Sequence, residues 1–506
     1  MRLTSSSLPP TANGNAKAPS HVLAPETRLQ NRLSFDFYSA LIFITALHGF
    51  SALKVVLLLY INFMIALQLP RRAIPAMTWI FNISILFANE FARGYPFSSI
   101  AEAVAPLYTP AGSWGKFLDS WGGLMPRWEV LFNITVLRLI SFNMDYYWSL
   151  DRTRAGSPIE VCLISCSPGN TLHSVISGSA DTVKKKQLDP AALSERDRVT
   201  IPAPASSYTS FRTYLAYVLY PPLYLAGPIL TFNDYISQST YQPSSITRQR
   251  TFLYGIRFLV TLFCMEFLLH TIYVVAISKA SPEWSTYTPF QLSMLAYFNL
   301  HIIWLKLLIP WRFFRLWSLI DGVDPPENMV RCMSDNYSAL AFWRGWHRSY
   351  NRWIVRYVYV PLGGGPGGGT SKIRGIINML IVFTFVALWH DINLRLLAWS
   401  WLITLFVLPE ILAGMAFPKS RWKDWPNAYR VICGVGAVFN ILMMMAANLV
   451  GFAVGIDGLK GLAQGIIGSW QGAVFMLAAC GALFVGVQVM FEHREEEKRH
   501  GIRMKC

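Results

Sequence analysis

Two histidines stand where an imidazole can do chemistry. His390 falls in the run Phe385-Val386-Ala387-Leu388-Trp389-His390-Asp391, in one of the most apolar parts of the chain. An ionisable side chain is expensive to keep in such surroundings, which makes it a candidate for function. Imidazole titrates near neutrality, and burial favours its neutral, base-competent form. A lone histidine in this setting is commonly a hydrogen-bonded structural residue. Here, however, His347 stands upstream across a glycine-rich stretch that would let the chain fold the two together.

His347 lies in the segment Phe342 to Tyr357. Read as one helix, this segment places Arg344, Arg348, Arg352 and Arg356 at every fourth position, as a basic stripe. Trp343, Trp346, Tyr350, Trp353 and Tyr357 form the opposing aromatic face, with His347 at its edge and Asn351 beside the stripe. An interfacial helix meeting headgroup phosphates would look like this. So would a helix that presents a phosphate-bearing substrate or coenzyme A to a polar residue, and the two roles are compatible. The following Gly363-Gly364-Gly365-Pro366-Gly367-Gly368-Gly369 lacks the Gly-Lys-Ser/Thr ending of a phosphate loop and reads as a turn before the next span. Asp145, Asp234, Glu266, His270 and His301 lie in or beside apolar runs and read as structural. There is no GxSxG elbow, no HExxH and no Asp-His-His-Cys run, so serine-hydrolase, zinc-protease and cysteine-palmitoylating readings lack support. No metal site is expected.

These residues need a membrane scaffold. Of 506 residues, 53% are hydrophobic and 14% charged, against about 25% charged in an ordinary soluble domain. Only lipid solvates such an excess of apolar side chains. The net charge of +16 comes from residues scattered in short connections, such as Arg71-Arg72 and Lys184-Lys185-Lys186. That distribution suits anionic headgroups rather than nucleic acid. Seven cysteines without a CxxC pair indicate neither a zinc site nor a disulfide framework.

Apolar stretches near the ~20-residue span length fall at about 37–69 (one span or two tight ones, broken at His48-Gly49-Phe50-Ser51), 75–93, 127–144, 212–232, 251–278, 288–310, 374–389, 394–416, 430–455 and 468–491. The fold class expected is an all-α polytopic membrane protein of roughly ten transmembrane helices. Arg138, Pro221-Pro222, Pro228, Glu266 and His270 interrupt these spans, which points to a bundle around a tunnel with re-entrant or interfacial helices. Residues 1–36 read as a disordered tail without a cleavable signal, 37–491 as the membrane domain and 492–506 as a charged, solvated tail. Within the membrane domain, 150–211 is a polar loop and 311–373 the catalytic interfacial segment. No internal repeat is visible, which disfavours transporters built from inverted halves.

Several stretches together resemble the membrane-bound O-acyltransferase (MBOAT) superfamily, and within it the fungal glycerol uptake branch related to Hedgehog acyltransferase. They are His48-Gly49-Phe50-Ser51-Ala52-Leu53-Lys54, Ser141 to Trp148, Tyr220 to Pro228, Pro325-Pro326-Glu327-Asn328-Met329, Phe342 to Gly364 and Leu388 to Asp391, in the family's order. The likeness covers roughly residues 48 to 490. The region before His48 is shorter than the branch leads one to expect.

The resemblance implies that His390 is the family's histidine and His347 its second active-site position. It implies transfer of a long-chain fatty acyl group from acyl-CoA, as co-substrate and without a cofactor, to a lipid hydroxyl. The branch further implies an endoplasmic reticulum membrane enzyme that remodels glycosylphosphatidylinositol (GPI) anchors through their lyso form. Arg344, Trp346, Arg348, Asn351, Arg352, Trp389 and Asp391 are the expected substrate contacts, with acyl-CoA, a lipid acceptor and membrane lipids as partners and no nucleic acid. A proton-coupled carrier of glycerol or another polyol is the rival expectation, with His390, His347 and Glu266 as relay and ligands.

Overall fold

The computed structural model describes residues 24–104, 113–152, 190–280, 282–364, 372–390 and 394–502. Those residues are almost wholly helical, with one isolated bridge between Met329 and Trp346 and no strand. Helix is what the bilayer demands, because it pairs every backbone N–H and C=O within its own segment. The chain divides into two compact units, residues 1–253 with 314–325, and residues 254–313 with 326–506.

The first unit opens with α1 (Pro25–His48) and α2 (Ser51–Gln68). The tail expected over 1–36 therefore gives way to helix at Pro25, where a proline suits the first turn. Arg32 and Asp36, within the expected tail, are buried and paired at 2.7 Å. Arg32 also donates to Tyr220 and to Asp321, and Asp36 accepts from Tyr235.

The apolar run 37–69 is two helices because Gly49 turns the chain, with φ 54° and ψ −132°. A Cβ there would lie 1.7 Å from the Trp121 carbonyl oxygen. Gly49→Ala is thus expected to cost more than the roughly 1–2 kcal/mol of a left-handed residue alone. The check is a thermal-shift measurement in detergent, where an unchanged Tm would refute this account of the turn.

Beyond lie α3 (Ile74–Phe91), the short α4 (Phe97–Val104) and α5 (Ser113–Ser120), and α6 (Trp128–Arg152). Five short helices follow, α7 (Glu195–Thr200), α8 (Ala205–Thr209), α9 (Phe211–Val218), α10 (Pro221–Tyr224) and α11 (Phe232–Thr240). The loop expected over 150–211 thus carries helix at both ends. The interruptions seen in the sequence solve one another. Pro221-Pro222 break the helical ladder after α9, and the buried Arg138 guanidinium from α6 donates to the stranded carbonyls of Val218, at 2.7 Å, and Leu223. A second buried network joins α2, α3 and α6. There Asn62 donates to Asn143 at 3.1 Å, Asn82 donates to Asn62 at 3.0 Å, and Asn143 donates to Thr78 at 3.0 Å.

The second unit contains most of α12 (Arg248–Thr271), α13 (Val274–Ala280) and most of α14 (Pro289–Ile320). Two short helices follow, α15 (Ala339–Gly345) and α16 (Arg348–Ile354). The unit ends with α17 (Lys372–His390), α18 (Leu394–Ala416), α19 (Pro426–Asn448), α20 (Gly455–Ile467) and α21 (Trp470–Arg499). Its core packs Ala339 and Phe342 of α15 on Trp399, Ile403 and Val407 of α18 and on Met444 and Ala447 of α19.

Six helices among the described residues are both long and apolar enough to cross a membrane, where the length criterion gives about ten. The difference includes α1, α3 and α6, which carry buried polar residues: Arg32 and Asp36 of α1 pair with each other, and Asn82 of α3 and Asn143 of α6 meet at Asn62. The charged tail expected over 492–506 is helical to Arg499 and mostly exposed, but it is anchored at two points: Arg331 pairs with the buried Glu497 at 2.5 Å, and Arg494 with Asp335 at 2.8 Å.

Candidate active site

The segment read as one helix is two. Ser338 caps α15 by accepting from the Ala341 N–H at 3.0 Å. Glu410 of α18 reinforces that cap, accepting from the Ser338 hydroxyl at 2.5 Å and the Leu340 N–H at 3.1 Å. The helix stops at Gly345; Trp346 is extended, and His347 adopts a left-handed conformation with φ 44° and ψ 53°. Asn328 holds the new start, its carbonyl accepting from the Arg348 N–H at 3.1 Å and its Oδ1 from the Ser349 N–H at 3.2 Å. After α16 the chain widens into a π-helical turn over Val355–Tyr359, a local form that recurs at functional sites.

The break changes the arginine stripe. Arg344 remains on α15 and is exposed, while Arg348, Arg352 and Arg356 continue on α16 and the π turn, half-buried with Asn351. The break also turns His347 out of the row of Trp343, which packs instead on Trp399 at 5.8 Å and Phe383 at 6.4 Å between ring centroids. His347 stacks on Trp311 of α14 at 4.5 Å and lies 5.3 Å from the Tyr350 ring.

The second imidazole meets the same aromatic group. Tyr350 stacks on Trp389 at 4.3 Å, and His390, closing α17, lies 4.6 Å from the Trp389 ring and 6.4 Å from Tyr350. Trp389 and Tyr350 are buried between the two histidines. His390 keeps an exposed side, so the dry enclosure expected around it is open at this end of α17. An accessible imidazole edge is what a proton acceptor needs.

His347 is the more enclosed of the pair. Its Nε2 and the Tyr350 hydroxyl are buried with no hydrogen-bond partner among the described residues. Burial, and after it the nearby His390, push the His347 imidazole down to about 3. It is therefore neutral at any physiological pH, a dipole able to orient a hydroxyl rather than a charge.

The structure thus brings together His347, Trp389 and His390, and puts Arg348, Asn351 and Arg352 on the helix that starts at the His347 corner. Trp346 packs on Phe342 at 5.3 Å and on Trp311 at 6.3 Å. Arg344 stands outside the aromatic group, and Asp391, with Gly365–Gly369, lies outside the described residues. The other titratable residues have structural partners: Asp234 accepts from Arg198 at 2.6 Å, His301 bonds Tyr297 and Ser334, and His270 bonds the Glu266 carbonyl at 2.7 Å. Three contributors escape a reading of the sequence. Trp311 reads as the end of a span, and Asn328 sits in a motif with no assigned role. Glu410 carried the same signal as His390, an ionisable group in an apolar helix.

Residues 119–456 match the family described as MBOAT, membrane-bound O-acyltransferase family. The chain is 47% identical over 481 residues to "Membrane-bound O-acyltransferase GUP1" of Candida tropicalis, covering 94% of this chain and 74% of that protein. It is likewise 47% identical over 478 residues to the Saccharomyces cerevisiae protein of the same name, covering 94% and 78%. The mouse "Protein-cysteine N-palmitoyltransferase HHAT" is more distant, 29% identical over 213 residues, with 41% of this chain and 42% of that protein covered.

Proposed function

Because this chain belongs to the membrane-bound O-acyltransferase family, we propose that it transfers a long-chain fatty acyl group from acyl-CoA to a lipid hydroxyl, the lyso form of a GPI anchor, in the endoplasmic reticulum membrane. The observation that carries the chemistry is the placing of His390 and His347 against one buried Tyr350–Trp389 pair, with the edge of His390 open.

In this reading His390 removes the acceptor hydroxyl proton as the oxygen attacks the thioester carbonyl carbon. The tetrahedral intermediate collapses to the ester, and the departing thiolate takes the proton from His390 to leave as coenzyme A. His347, uncharged, orients the acceptor through its unpartnered Nε2. Arg348 and Arg352, at the start of α16, are placed to meet phosphate oxygens, whose planar pairing suits guanidinium. The lipid acceptor rests on the likeness to the fungal glycerol uptake branch, and a multi-pass chain gives both substrates a bilayer route to the site.

The test offers purified protein labelled long-chain acyl-CoA together with lyso-GPI lipid, glycerol or a cysteine-bearing peptide. Label in the lipid fraction is the expected result. Label in glycerol or the peptide, and none in the lipid, would overturn the acceptor while keeping the reaction class.

A further inference from the structure

We propose that Asn328 is a catalytic residue, whose side-chain amide donates a hydrogen bond to the thioester carbonyl oxygen as negative charge gathers there. The inference rests on the acyl-transfer reading above and assigns a part of the reaction that neither histidine covers.

Asn328 is 1% exposed, and its carboxamide has an acceptor and a donor end. The acceptor is spoken for, because Oδ1 takes the Ser349 N–H at 3.2 Å. That bond also fixes which end is which, since an N–H must face an oxygen. Nδ2 is buried and has no partner among the described residues. An orphaned buried donor costs about 1–3 kcal/mol, and native structures rarely keep one without a use. Nor is the side chain loose, being held through Ser349 while the Asn328 carbonyl takes the Arg348 N–H. Its amide therefore stands at the left-handed corner whose first residue is His347. Backbone held in a sparsely populated conformation, with unpartnered polar groups on His347, Tyr350 and Asn328 around it, is the pattern of a site arranged for a ligand.

A carbonyl oxygen is the matching ligand. It only accepts, and in the reaction it gains charge: the acceptor oxygen bonds to the carbonyl carbon, the π pair moves onto the carbonyl oxygen, and the hydroxyl proton goes to His390. When the intermediate collapses, that pair returns, the C–S bond breaks, and the thiolate leaves with the proton. A fixed, neutral, buried donor stabilises the charged stage without reorganising.

The test separates this role from simple helix capping. Asn328→Asp keeps a carboxyl oxygen at the Oδ1 position for the Ser349 N–H and gives up the amide donor, whereas Asn328→Ala gives up both. Both are assayed as full-length protein with acyl-CoA and lyso-GPI lipid, following release of coenzyme A thiol. The expected result is kcat lowered on the order of 10²–10³-fold, as for loss of one oxyanion donor. In a variant that remains folded, KM for acyl-CoA should stay within about twofold and the pH–rate shape should be unaltered, because uniform binding is untouched. If either folded variant turns over at the wild-type kcat, Asn328 is a cap and the proposal fails. Wild type that releases no thiol with any acceptor would instead sink the acyl-transfer reading beneath it.

Discussion

Replacing His390 by alanine is expected to remove acyl transfer almost entirely while leaving the protein folded. A positioned general base contributes about 10²–10⁴-fold, and no other described residue with an exposed imidazole edge lies on the Tyr350–Trp389 pair. The structural cost should be small. His390 is the last residue of α17, its residue-level exposure is high, and alanine is the best helix former. The measurement is labelled transfer beside a thermal-shift curve for the same preparation. A variant that keeps its Tm and retains transfer within tenfold of wild type would take the base role from His390.

The second expectation concerns His347 and pH. Its imidazole is held down at about 3 by burial and by His390, so across pH 5–9 it carries no proton beyond the neutral form. The sign follows from linkage: a histidine whose folded value is depressed resists charging, and the resulting loss of stability begins only as pH falls below the ordinary value of about 6.5. His347→Gln should therefore lower kcat, by about 10–10²-fold, through lost orientation of the acceptor. It should leave the acid limb of the pH–rate profile where it was. An acid limb that moves or vanishes in this variant would identify His347 as the titrating group and reverse the two roles.

Much of this molecule was legible because lipid leaves few choices. The membrane class announced itself by composition and length, and Arg138 could be read as inward-facing since nothing else tolerates it at depth, while the buried Asn62, Asn82 and Asn143 went unread. What pairs with what was another matter. Arg138 and the prolines at 221 and 222 each looked like a defect, and only the fold shows that the guanidinium answers the broken ladder. The corner at His347 was hidden for a plainer reason. Trp346-His347-Arg348 has no glycine or proline at the turn, and the arginine spacing argued for an unbroken helix. The break is imposed from outside, by Asn328 gripping two N–H groups and by the Met329–Trp346 bridge. Histidine is also among the few side chains that enter the left-handed region with modest penalty.

The ion pairs at the end of α21 have a bearing on inheritance rather than chemistry. Glu497 and Arg494 fasten the stretch Arg331 to Asp335, which leads into α15 and the His347 corner. A premature stop codon after Phe491 would spare every residue around the two imidazoles and still deprive that stretch of both its anchors. Such an allele would look harmless on a map of active-site positions and behave as a loss of function.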